Sequence, residues 1–78
     1  MAPESVVARV LGVPRQAVND ATSNVTESSW DSLNHVTLIL ELESAYGISL
    51  SAEDALTMTD VGTIKRVLRS HGVDWDGA

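Results

Sequence analysis

The chain has 78 residues, no Cys, no Phe and a net charge of -6. So short a chain makes one domain with a modest core, and without disulfides or thiolate metal sites its stability must come from helix packing. The acidic balance excludes a phosphate-backbone partner, and no apolar run approaches the ~18 residues that cross a bilayer.

The first segment, "APESVVARVLGV", reads as a helix. Pro3 suits a first turn, Glu4 complements the positive end of the dipole, and Val6, Val7, Val10 and Leu11 share one face. Gly12 and Pro14 stop it. The stretch "PRQAVNDATSNVTESSWD" is polar and long for a loop in so small a domain. A single short turn is expected near "PRQAV", with Val18 and Val25 as apolar anchors.

"SLNHVTLILELESAY" is the strongest helical pattern. Leu38, Ile39, Leu42 and Tyr46 form the expected core set, whereas Leu33, Val36 and Leu40 lie on a second face that the core does not need. Gly47 is the expected left-handed stop, followed by Ile48. Ser51 and Asp54 open a short helix running to about Met58. Thr59 or Asp60 then caps a last helix carrying Val61, Ile64, Val67 and Leu68, which Gly72 ends. Residues 73–78 read as a frayed tail in which Trp75 is the one candidate to dock. No strand signal is present. The expectation is an all-α fold, a small four-helix bundle of three longer helices and one short one, occupying 1–78 as a single domain.

From Gln16 to Ile64 the chain has eight acids (Asp20, Glu27, Asp31, Glu41, Glu43, Glu53, Asp54 and Asp60) and no Lys or Arg. Such a field steers basic partners, or simply solvates a surface. In "SSWDSLNHV", Ser32 stands where the strongest helix begins. Taken alone, Asp-Ser-Leu at a helix start is ordinary capping chemistry.

The surroundings say more. Asp31-Ser32-Leu33, followed by "LILELESAYGISLSAEDALTMTDVGTIKRVL", resembles an acyl carrier protein from Trp30 to about Leu68, roughly half the chain. The resemblance implies a 4'-phosphopantetheine arm held covalently on Ser32, between Asp31 and Leu33, and carrying acyl groups as thioesters. It implies no catalysis by the chain itself, which lacks a thiol of its own. Implied partners are a phosphopantetheinyl transferase and acyl-loading and acyl-processing enzymes with basic docking patches, with no nucleic acid and no membrane. A cytoplasmic monomer is expected. Docking falls to Leu33, Thr37 and Leu40 on the helix that starts at Ser32, to Glu41 and Glu43 further along it, and to Glu53 and Asp54.

Two positions depart from the family's fatty-acid members. Thr37 stands where those often have an acid, and Trp30 where a small residue is more usual. Both lean toward a carrier dedicated to polyketide or other specialised metabolism, although Trp30 also reads as an anchor for the loop. A peptidyl or aminoacyl carrier of the same fold, and an unmodified acidic interaction module, are the alternatives. A Ser32–His35 hydrolase is disfavoured, because a nucleophile needs an oriented base and an oxyanion site in a cleft, for which so small a domain is expected to lack room. His35 is read as a solvated residue beside the arm, and His71 as a complement to the last helix's dipole. An attached acyl chain is expected to enter near Val36 and Met58, among Leu38, Ile39, Leu42, Val61, Ile64 and Leu68.

Overall fold

The computed structural model describes residues 1–75. Four α-helices follow one another: α1 (Pro3–Leu11), α2 (Ser32–Tyr46), α3 (Ala52–Thr57) and α4 (Val61–Ser70). A 3-10 turn at Arg15–Ala17 follows α1, where the short turn is expected. Among the described residues there is no strand, only an isolated bridge between Ser23 and Asp60.

Side-chain oxygens open three of the helices. Asp31, Ser51 and Asp60 each accept a hydrogen bond from the backbone N–H three residues on. At the other end, Gly12 and Gly47 adopt φ of 70° and 63°, and each donates its N–H back to the preceding helix. Only glycine takes that left-handed conformation without strain.

α1 packs against α2 and α4. Val6, Val7, Ala8 and Leu11 meet Leu38 and Leu42 of α2 and Val61, Ile64 and Leu68 of α4, all buried. Met58, Val18 and Trp30 complete this core from the connecting segments. α2 is apolar on more than one side, and its second face stays in solvent: Leu33, Val36 and Leu40 are 75%, 57% and 60% exposed. α3 buries none of its residues.

The long loop is ordered differently from expectation. Val18 is buried, but Val25 is 89% exposed and anchors nothing. Polar side chains do that work. Asn19 Oδ1 accepts from Ala21 N, Thr22 Oγ1 from Asn19 N, and Ser23 Oγ from Val25 N. Backbone bonds from Asn24, Val61 and Gly62 then join the loop to the start of α4. Asn, Ser and Thr compete well for such local bonds, so a segment with few apolar groups still takes one shape.

Within the expected frayed end of 73–78, the described residues 73–75 are held. Val73 N–H bonds Leu68 O and its side chain packs on the core, while Trp75 packs beneath the Arg69 guanidinium, 4.2 Å from the ring centroid. Residues 76–78 of that expected tail lie outside the described residues.

The basic ends of the chain fold back onto its acidic middle. Lys65 Nζ lies 2.8 Å from both Glu4 Oε2 and Asp20 Oδ1, and Arg9 pairs with Glu41 at 3.1 Å. Burial pushes the Glu4 carboxyl up, but hydrogen bonding and charge from Lys65 outweigh it, leaving Glu4 below its ordinary 4.5. Hydrogen bonds that Lys65 donates to Asp20 and then to Glu4 hold it above its ordinary 10.5. Burial, then the charge of Glu4, raises Tyr46 above 10.0.

These directions fix a pH profile. A depressed carboxyl stabilises the fold above its unfolded pKa, and that contribution is lost as pH falls through its folded value. A raised Lys stabilises below its unfolded pKa, and the contribution is lost as pH rises through its folded value. A raised Tyr makes the fold less stable once the unfolded chain ionises. The melting temperature should therefore fall below pH 4.5 and above pH 10.0, the ordinary values of Glu4 and Tyr46. A Lys65→Met protein melted across the same range should show a weaker fall on the acid side; an unchanged acid limb would contradict the assignment.

Candidate functional site

The residue that caps α2 is Asp31, not Ser32. Asp31 keeps extended dihedrals (φ -95°, ψ -176°) and its Oδ1 accepts from Asn34 N at 2.9 Å. Ser32 is the first residue inside the helix and is exposed. Among the described residues, its hydroxyl and the N–H groups of Ser32 and Leu33 have no hydrogen-bond partner. The hydroxyl therefore carries no structural duty, although it stands at the positive end of a 15-residue helix.

The turn before it is held from behind. Asn34 Nδ2 donates to Ser29 O at 2.7 Å, and Trp30, 3% exposed, is sunk into the core. Trp30 is thus the loop anchor that its position allowed. Its indole Nε1–H donates to His35 Nδ1 at 3.0 Å, with the rings stacked 6.3 Å apart. An indole nitrogen can only donate, so Nδ1 is the accepting nitrogen and Nε2 carries the proton. That Nε2–H donates to Ala55 O of α3 at 2.8 Å. His35 is not the solvated residue expected beside the arm. Both of its nitrogens are spent, and it joins the loop to α3 at a carbonyl, Ala55 O, that also accepts from Met58 N.

His71 differs from expectation in the same way. Its Nε2 lies 3.0 Å from Asp54 Oδ2, tying the end of α4 to the start of α3. The hydrogen bond from His71 is the main reason the Asp54 carboxyl sits below its ordinary range. The chain has two histidines, and both hold α3.

A groove of ≈ 400 Å³ opens beside Ser32, lined by Asn24, Trp30, Asp31, His35, Leu56 and Thr59 as well. The Asn24 amide and the Thr59 hydroxyl have no side-chain hydrogen bond to other described residues, so both are available to a ligand in the groove. A second groove of ≈ 360 Å³ runs between α2 and α3, lined by His35, Val36, Ile39, Leu40, Ala52, Ala55 and Leu56. It is apolar almost throughout. The two grooves share His35 and Leu56. The interior expected to take an acyl chain is instead closed: Leu38, Leu42, Met58, Val61, Ile64 and Leu68 are all 0% exposed. Met58 is a core residue, so the open apolar space lies further out, above Ile39.

The candidate docking residues divide. Leu33, Thr37, Leu40 and Glu53 are exposed. Glu41 is paired with Arg9, Glu43 Oε2 accepts from Leu50 N at 2.7 Å, and Asp54 is engaged by His71. Their carboxylates have internal work to do before they meet a partner. Leu56, 78% exposed and lining both grooves, escaped sequence reading because one Leu in a six-residue helix has no periodicity to betray its face.

Among the described residues, no helix is long and apolar enough to cross a membrane. Residues 4–68 match the family described as the phosphopantetheine attachment site. The chain is also similar to the acyl carrier protein of Chlamydia caviae, 31% identical over 61 residues, which is 78% of this chain and 79% of that protein. The exposed serine, free of structural duty beside a groove with unspent polar groups, fits the prosthetic group that this family carries. The chain belongs to the acyl carrier proteins, whose prosthetic group is 4'-phosphopantetheine.

Proposed function

We propose that Ser32 is the attachment residue, and that the chain is a non-catalytic carrier which presents acyl groups to partner enzymes in the cytoplasm. The observation that carries this is the division of labour at residues 31 and 32: Asp31 caps the helix, leaving the Ser32 hydroxyl exposed and unbonded. A phosphopantetheinyl transferase joins Ser32 Oγ to the phosphorus of coenzyme A's phosphopantetheinyl group. The bond from that phosphorus to adenosine bisphosphate breaks, and the serine proton is lost. The arm supplies the thiol that this cysteine-free chain lacks, and acyl groups are held on it as thioesters.

The chain's own residues do the holding and the presenting. The free N–H groups of Ser32 and Leu33 and the helix dipole favour the phosphodiester's charge, and Asn24 and Thr59 offer polar contacts along the groove. Leu33, Thr37 and Leu40 with Glu53 form the docking face, and Glu41, Glu43 and Asp54 contribute where a basic partner competes for their present bonds. Weak, polar-rimmed contact gives fast arrival and easy release, as a carrier visiting several enzymes requires. Thr37, where the family's fatty-acid members often have an acid, favours a dedicated pathway such as polyketide or specialised metabolism over a general fatty-acid role.

Intact mass tests the reading. After incubation with coenzyme A and a broad-specificity transferase, one phosphopantetheinyl increment is expected. A folded sample that gains none, or a Ser32→Ala protein that gains one, would overturn it.

A further inference from the structure

Trp30, His35 and Ala55 form a continuous hydrogen-bonded chain, indole to imidazole to backbone carbonyl, at 3.0 and 2.8 Å. It stands where the Ser32 groove and the apolar α2–α3 groove meet, since His35 lines both. One of its ends is buried and the other is not. Trp30 is buried in the core, whereas α3 is six residues long, buries none of them, and is tied to the rest of the fold through His35 and His71. A short helix with no buried side chain is an element that local opening can release.

We infer that this chain is a gate, and that His35 determines which acyl cargo the protein shelters. The inference rests on Ser32 being the attachment residue. With the gate closed, the arm and a short or polar acyl group remain in the Ser32 groove, whose lining offers Asn24 and Thr59. An aliphatic chain reaches the second groove, against Ile39 and Ala52, only by displacing His35 from Trp30 and Ala55. The apolar groove commits to that occupant because it is continuous with the attachment groove through His35 and Leu56.

The threshold follows from ordinary magnitudes. Two hydrogen bonds favour the closed gate by about thirtyfold. Each methylene moved from water into the apolar groove returns about fourfold. About three buried methylenes therefore balance the gate. The carbon next to the thioester carbonyl stays with it in the Ser32 groove, so acetyl brings no carbon to the apolar groove and butyryl about two, short of the balance, while octanoyl brings about six and exceeds it.

The test loads the full chain with acetyl, butyryl or octanoyl phosphopantetheine from the matching acyl-coenzyme A, with intact mass confirming each product. Proton–nitrogen spectra then follow the Trp30 indole N–H, assigned with the help of Trp75→Phe, and the amides of Ile39 and Ala52. In the acetyl and butyryl forms all three should stay at their holo positions. In the octanoyl form all three should move together. His35→Phe, which keeps a ring on Trp30 but cannot bond either partner, should let butyryl move Ile39 and Ala52. If that variant does not fold, the wild-type series decides alone. Movement of Ile39 and Ala52 with the Trp30 indole unmoved would mean that cargo passes over Leu56, and would overturn the gate. So would an octanoyl form in which nothing moves. Absence of any mass increment would instead remove the carrier reading, and the gate with it.

Discussion

A Ser32→Ala protein should melt within about 4 °C of wild type and take up no phosphopantetheine, while Asp31→Ala should do the reverse. The two residues are adjacent, and both belong to types that favour helix starts. The structure separates their work. Asp31 Oδ1 satisfies Asn34 N–H, and Asp31 O takes the first helical bond from His35 N. Removing that cap costs about 1 kcal/mol, which in a domain of this size lowers the melting temperature by roughly 4–8 °C. Removing an exposed, unbonded hydroxyl at the first helical position changes stability by no more than ~0.5 kcal/mol. For loading, the order inverts. Without Oγ no phosphodiester forms at Ser32, so the loss is complete. Asp31→Ala keeps the nucleophile and should still load, more slowly, because the first turn that presents Ser32 is looser. Melting curves and intact masses of both proteins make the comparison. A large stability loss in Ser32→Ala, or a melting temperature unaltered in Asp31→Ala, would show that the capping roles are misassigned.

What was legible in the sequence followed from local rules. The span of α2, Ser32–Tyr46, is readable from apolar spacing and from Gly47, because both act within a turn or two of the chain. The exposure of Leu33, Val36 and Leu40 follows in the same way, and the cap of α4 was narrowed to Thr59 or Asp60, of which Asp60 takes it. Long-range polar bonds had no such signal. His35 reaches Ala55 and His71 reaches Asp54, and nothing in the spacing of either pair marks the contact. The order of the long loop was hidden for a related reason. Most of its anchors are Asn, Ser and Thr side chains bonding the backbone, so of the expected apolar anchors, Val18 and Val25, Val18 is buried and Val25 is exposed. At the site, the motif marked Ser32 from residue types alone. Its availability depended on Asp31 taking the cap, which only dihedrals and hydrogen bonds reveal. The acidic middle was real along the chain but less so in space, since Lys65 and Arg9 return to pair with Asp20 and Glu41.

Leu42 and Leu40 lie two residues apart on α2, and truncating each to Ala should give opposite phenotypes. Leu42 is 0% exposed and packs in the core with Leu38 and the buried residues of α1 and α4. Leu42→Ala loses the transfer energy of the side chain and leaves a cavity that short, well-packed helices fill poorly, for about 3 kcal/mol. A domain of 78 residues has a stability near the low end of the usual range, ~5 kcal/mol, so more than half of it goes. The melting temperature should fall by roughly 12–24 °C. Leu40 is 60% exposed and lines the rim of the α2–α3 groove. Leu40→Ala should change stability by ~0.5 kcal/mol or less. Its effect belongs to recognition: an exposed Leu on the docking face is a candidate anchor, and losing it should lower kcat/KM for acyl transfer with a partner enzyme by about fivefold or more. Melting curves and transfer kinetics on both proteins separate the two roles, provided Leu42→Ala is assayed well below its own melting temperature. There the Leu42→Ala protein, with its docking face intact, should transfer at close to the wild-type rate. If Leu40→Ala transferred normally, the exposed face of α2 would have to be explained by something other than docking, and Leu33 and Thr37 would lose their assignment with it.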